Sequence, residues 1–265
     1  MTAIELFRAG KLREAIDVQV ATVKAAPADQ AARLALFELF LFTGELDRAR
    51  KQLDVLRYDD PRQTAAIEQY RHALDAEACR RRVFAGTDQP KIPASAPEHV
   101  RQRVEVLAYL ARGEAATARA RLDEANAAIP QLAGTFDGKP FEGISDGDNR
   151  LGTVLEVFAS SGVYSWLPLE QVHSIVMNPP QSPRDLVLRP ANITLIDGTS
   201  GDVFLPGLYP DTSTHPDDEV RLGRAAVWVE TDAGVFQGSG GRVFQVGSEW
   251  VPFSTVNELL ITAAS

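Results

Sequence analysis

The feature that most constrains this chain is a recurrence in its first half. Gly10, Leu12, Ala15 and Pro27 return 34 residues later as Gly44, Leu46, Ala49 and Pro61. Gly113, Ala118 and Pro130 make a further copy, 69 residues beyond the second. In every copy alanine follows glycine by five positions and proline follows it by seventeen. Glycine gives the backbone freedom for a tight turn between antiparallel helices. A small alanine lets the second helix lie close to the first, and a proline, lacking an amide hydrogen, stops that helix before the next pair begins. The spacing predicts helices at about 2–9, 11–25, 29–43, 45–57, 62–84, 97–112 and 114–128. The fifth carries Ile67, Tyr70, Leu74 and Cys79 where a repeat is degenerate, and a proline-rich loop from Thr87 to Pro97 follows it.

The turn glycine, close-packing alanine and terminal proline fall at the offsets of the tetratricopeptide repeat, which this half resembles. Stacked helix pairs of that kind form a superhelix whose concave groove is lined by the first helix of each pair and suits a peptide or an amphipathic helix. Counting back from the turn glycines places Ile4, Phe7 and Arg8, then Leu34, Glu38, Leu41 and Phe42, then Val100, Arg103, Leu107 and Leu110 on that groove. This is an apolar surface with few charges, suited to an amphipathic helix. The Lys and Asn of tetratricopeptide carboxylate clamps are absent; Ile4, Glu38 and Leu107 stand at one of those positions.

Charge divides the chain as the repeat does. Of 27 Lys and Arg and 36 Asp and Glu, residues 1–130 hold 20 and 19, whereas residues 131–265 hold 7 and 17. Proline and glycine also gather in the second half, so the expected organisation is a helical domain 1–130, a linker 131–145 and a second domain 146–265. A net charge of −9 offers a nucleic-acid backbone no general attraction. No apolar run reaches membrane-spanning length, and charges interrupt the N-terminal apolar stretch, so neither membrane insertion nor a secretory leader is expected. One cysteine, Cys79, permits no internal disulfide, which suits a cytoplasmic address.

From residue 150 the period shifts toward two. Val154–Phe158 and Val163–Leu167 read as a hairpin around Ser160-Ser-Gly162. Further strands are expected at 175–177, 193–196, 203–205, 226–229 and 242–246, with short helices near 168–172 and 255–259. The fold class is multidomain α+β: a tetratricopeptide-like superhelix, then a small, antiparallel, barrel-like β-rich domain. Asp146-Gly-Asp-Asn-Arg-Leu-Gly152 with Leu155-Glu156, Tyr164-Ser-Trp-Leu-Pro168, Pro179-Pro180, Pro183-Arg-Asp-Leu186, Leu208-Tyr-Pro210, Arg221-Leu-Gly-Arg224 and Gly238-Ser-Gly-Gly-Arg242 occur in that order. Together these blocks resemble the ImpE family, also called SciE or TagJ, across essentially the whole chain. Glu142-Gly-Ile-Ser145 and Thr153 depart from the family pattern. The resemblance implies a non-enzymatic accessory protein of the bacterial type VI secretion system. Its implied partners are the N-terminal helix of the small sheath subunit TssB and the ATPase ClpV.

Other constellations are weaker. Asp146-Gly-Asp148-Asn149 starts like a calcium loop, but Arg150 and Leu151 occupy the ligand run. The plainer expectation is a turn whose carboxylates cap amides or meet arginines. Arg150, Arg184, Arg221, Arg224 and Arg242, with Asp146, Asp148, Glu156 and Asp185, are expected to form structural ion pairs. A metal- or arginine-dependent hydrolase working through Asp146 and Asp148 is the rival, and a scaffold that binds by its acidic second half is a third reading. Gly238–Arg242 lacks a phosphate-loop ending and suits a turn. Ser182 and Ser239 lack a nucleophile elbow, and His72, His99, His173 and His215 lack zinc spacing. Asp217–Glu219 reads as a solvated loop, and Trp166, Trp228 and Trp250 as core anchors, an exposed tryptophan instead marking a second binding face. No metal or cofactor is expected.

Overall fold

The computed structural model describes residues 1–263. Seven helices come first: α1 (Ala3–Arg8), α2 (Leu12–Ala25), α3 (Gln30–Thr43), α4 (Leu46–Leu53), α5 (Pro61–Phe84), α6 (Glu98–Ala111) and α7 (Ala115–Ala127). Local chemistry sets their ends. Thr2 and Glu5 form a reciprocal capping box on α1, and Asp29 caps α3 by accepting from the Ala32 amide. Gly44 closes α3 in the left-handed conformation at φ 67°. The repeat alanines Ala15, Ala49 and Ala118 are wholly buried, as close helix packing requires. Pro61 acts differently from expectation. α4 ends at Leu53, and Pro61 is instead the first residue of α5, where its missing amide leaves no bond unmade.

The second half contains β1 (Leu132–Phe136), β2 (Lys139–Glu142), β3 (Ile144–Asp146), β4 (Val154–Ala159), β5 (Tyr164–Pro168), β6 (Val172–Met177), β7 (Leu188–Leu195) and β8 (Ser200–Pro206). After the single turn α8 (Asp218–Arg221) come β9 (Ala226–Glu230), β10 (Phe236–Gly240), β11 (Val243–Val246), β12 (Glu249–Pro252) and β13 (Glu258–Ala263). Eight strands form one antiparallel sheet in the order β2-β1-β13-β6-β7-β8-β4-β5, beside a three-stranded sheet β12-β11-β3 and the pair β10-β9. The sheets stay open, so the barrel expectation is corrected. The stretch 131–145 is no linker: β1 pairs with β2 and with β13, placing it inside the large sheet. The helix expected near 255–259 is not formed: a single turn ends at Thr255 and β13 begins at Glu258, while Asp217–Glu219 belong to a capped helical turn and Gly238–Gly240 lie in a strand.

The two halves share one core. β4 is buried on both faces. Val154 and Phe158 pack with helix residues such as Leu74 and Val83, while Leu155 and Val157 belong to the cluster beneath the sheet. Leu188, Leu208 and Leu222 of the second half also enter the helical cluster, and Tyr70 stacks on Phe204 with ring centroids 5.5 Å apart. Polar contacts follow the same seam. Asp218 of α8 accepts from the Leu12 amide at 3.1 Å, capping α2, whose own N-cap residue Lys11 supplies no side-chain bond. Arg224 donates to the carbonyls of Phe7 and Arg8 at the end of α1. Among the described residues no helix is long and apolar enough to cross a membrane.

Candidate interaction surface and the buried charge network

The charged residues of the motif blocks converge on the seam between helices and sheet. On α5, Ala73, Ala76, Arg80 and Val83 recur at helical spacing on one buried face, with an arginine in the apolar run. Opposite lies Glu156, a single acid in the buried strand β4. Arg80 donates to both Glu156 oxygens, at 2.7 Å from Nε and 3.0 Å from Nη2, and to the Leu208 carbonyl. The Tyr164 hydroxyl donates to Glu156 as well, and Trp166 Nε1 donates to that hydroxyl at 2.6 Å. Arg242 stands 3.4 Å from Glu156 and donates to Asp146 at 2.6 Å. Burial alone would raise the Glu156 carboxyl, but Arg80 and Arg242, with hydrogen bonds from Arg80 and Tyr164, hold it below the usual carboxylate range.

The turn at Asp146–Arg150 is built as the plainer sequence reading expects. Asp146 accepts from the Asp148 amide at 2.8 Å, and Asp148 meets Arg150 through Nε and Nη2 while accepting from the Gly238 amide. These carboxylates, which the hydrolase reading would use, are taken up by arginines and amides. Among the described residues no three His, Cys, Asp or Glu side chains gather as a metal site. Arg184 pairs with Glu38 and lies 3.9 Å from Asp185, whose carboxylate caps the Ser182 turn. Arg221 pairs with Asp218, and Arg224 with Glu219 at 3.2 Å.

Several of these partners lie on the concave groove, which overturns the expectation of an open trough. Glu38 is engaged by Arg184, and Phe7 by Arg224 through its carbonyl and ring. Leu41 and Phe42 face Val187, Leu188, Leu208 and Tyr209 across a cavity of about 130 Å³. Val100 and Leu107 are buried, and Arg103 reaches the Asn149 carbonyl at 2.6 Å and Asn126 at 2.5 Å. Burial without a carboxylate in hydrogen-bond reach pushes Arg103 down to about 10. The β-rich half thus fills the trough. Ile4 remains 44% exposed, Arg8 is exposed, and Leu34 and Leu110 are half-buried.

A family model described as ImpE protein matches residues 138–260, and one described as a tetratricopeptide repeat matches residues 6–73. The type VI secretion system accessory component TagJ of Pseudomonas aeruginosa is 36% identical over 237 residues, covering 89% of this chain and 84% of that protein. The chain belongs to the ImpE family. A crystal structure of a Vibrio parahaemolyticus protein shares the fold, with a TM-score of 0.89 and 22% identity over 99% of this chain and 98% of that one. The ImpE blocks and the repeat are therefore parts of one folded unit in which the former supplies what the latter's groove holds.

Sequence reasoning missed Arg80 and the burial of Arg103 and Arg189. The available signal was an arginine at an apolar helical position, which demands a buried partner. Of the three tryptophans, read as core anchors or, where exposed, as a second binding face, only Trp166 is buried: Trp228 is 37% and Trp250 56% exposed.

Proposed function

We propose that this protein is a non-catalytic adaptor of a bacterial type VI secretion system that holds the N-terminal amphipathic helix of the TssB-like small sheath subunit. The observation that carries this reading is the 36% identity, over most of both chains, to a protein named as an accessory component of that system. The helical repeats and the use of the buried carboxylates in ion pairs support a binding role over catalysis. With the trough filled, the helix site we propose is its open mouth on α1 and α3. α1 and α3 each pack antiparallel to α2 and so run the same way; Phe7 meets Phe42 with centroids 5.3 Å apart. Ile4 stands one turn before Phe7 and Leu34 two turns before Phe42, leaving apolar surface upstream of that contact, with Arg8 beside it. Recruitment of the ClpV-type ATPase follows as a second step of the same role.

Fluorescence polarisation with a labelled peptide of the sheath-subunit N-terminus tests the proposal. Ile4→Asp should weaken binding about tenfold or more, since burying an isoleucine side chain contributes about 2 kcal/mol. Undiminished binding in Ile4→Asp and Arg8→Glu would refute this placement. Leu41→Asp and Leu107→Asp do not serve, because both positions are core.

A further inference from the structure

The small sheets carry an aromatic surface that none of the contacts above uses. Trp228 and Val229 on β9, Phe236 on β10 and Trp250 on β12 are among the exposed large apolar residues, with Val229 63% exposed. The two indoles are seated, with centroids 5.7 Å apart and planes at 52°. Trp228 also meets Tyr209 edge-on at 6.4 Å, and its Nε1 donates to the Gly147 carbonyl at 3.0 Å. A Cβ on Gly147 would lie 3.1 Å from Trp250 and 3.2 Å from Trp228, so the Asp146–Asp148 turn is bare where the rings rest on it.

β9 is also an edge. It pairs with β10 alone, and the far side of β10 is covered by the Asp146–Arg150 turn: the Asn149 amide donates to the Phe236 carbonyl, and Asp148 accepts from the Gly238 amide. Among the described residues no strand lies against the outer row of β9 amides and carbonyls. Edge strands are normally blunted by lysine, proline or a bulge, and Ala226-Val-Trp-Val-Glu230 has none of these. The unpaired charge around it is acidic: Arg224 at its start is held by Glu219 and the α1 carbonyls. Between residues 225 and 262 the only cation is Arg242, which is buried on Asp146, while Glu230, Asp232 and Glu249 are exposed. Arg119 of α7 reaches the Gly234 carbonyl at the hairpin tip but is held by Asp123.

We propose that the free edge of β9 receives an extended, arginine- or lysine-bearing segment of another protein, which pairs as an added strand and lays a cationic side chain beside Trp228 and Glu230. Backbone pairing supplies the register, and the Trp228 indole and the Glu230 carboxylate select a cation over an anion. A second copy of this chain fits poorly, because its own β9 would bring acid rather than base. This site is separate from the helical mouth, so Ile4→Asp leaves it unchanged and the two proposals fail independently.

The test uses the full chain and three synthetic peptides followed by tryptophan fluorescence: an acetylated alternating Arg-Val heptapeptide, the same with Glu for Arg, and the same with alternate amides N-methylated. The Arg-Val peptide should bind saturably, at least about tenfold tighter than either control, and weaken as salt rises. Glu230→Lys, at an exposed position on β9, should lose about tenfold in affinity with circular dichroism unchanged, whereas Trp250→Ala, across β10 from the edge, should not change it. Equal binding of the N-methylated peptide would overturn strand addition. Equal binding of the Glu peptide, no saturable binding, or concentration-dependent dimerisation abolished by Val229→Lys would overturn the proposed partner.

Discussion

Replacing Glu156 with Gln removes one charge from the seam while keeping the side chain's shape. Arg80 then keeps only Glu77, 3.4 Å away at the rim, and the Leu208 carbonyl. Arg242 keeps Asp146. Removing one partner of a buried ion pair costs about 3–5 kcal/mol, because the remaining charge stays out of water. Set against a total stability of about 5–15 kcal/mol, the variant folds but is clearly weakened. Urea titration followed by far-ultraviolet circular dichroism reports the helices, and Trp166 fluorescence reports the seam. Both midpoints should fall together, because one apolar cluster runs through both halves. The double variant Arg80→Met/Glu156→Leu should recover at least about half the loss, since an apolar pair of similar volume is often neutral relative to a buried ion pair. A loss below about 1 kcal/mol in Glu156→Gln would refute the reasoning, as exposed pairs contribute about that little. So would a helical transition that does not move.

Acid should act through the same group. The folded Glu156 carboxyl sits below its unfolded value, so its contribution is present above about pH 4.3 and is lost as pH falls through the folded value. Glu156→Gln should therefore flatten the pH dependence of stability below that point, measured as urea midpoints against pH. Gly152→Ala should destabilise by about 1–3 kcal/mol in the same titration, because its φ is +57° and a Cβ would lie 2.4 Å from the Arg103 guanidinium. Leu41→Asp should give insoluble or molten protein, seen as lost near-ultraviolet dichroism, because it buries an unpaired charge. Acrylamide should quench Trp228 and Trp250 but spare Trp166, measured on single-tryptophan variants.

Much of the helical half was legible because its signals are local. Turn glycines and packing alanines place α1 to α7 within a few residues, and the hairpin of β4 and β5 follows from alternation around Ser160-Ser-Gly162. The rest depends on distant partners. Leu259 and Ile261 of β13 earn their places from β1 and β6, more than 80 residues upstream, so Val256-Asn-Glu-Leu read as helix. The groove positions were located on the correct helices, but their occupant is the chain's own second half. Spacing reports which face of a helix is apolar and not what covers it. Leu208, Leu222 and Arg184, separated from α3 by well over 100 residues, do the covering.

Hydrogen–deuterium exchange of the full chain, with and without a saturating peptide of the small sheath subunit's N-terminus, probes the filled trough most directly. Added protection should be confined to α1 and the start of α3, with segments 183–188 and 208–224 unchanged. Faster exchange in those two segments on binding would mean the β-rich half is displaced from the groove and would contradict the account.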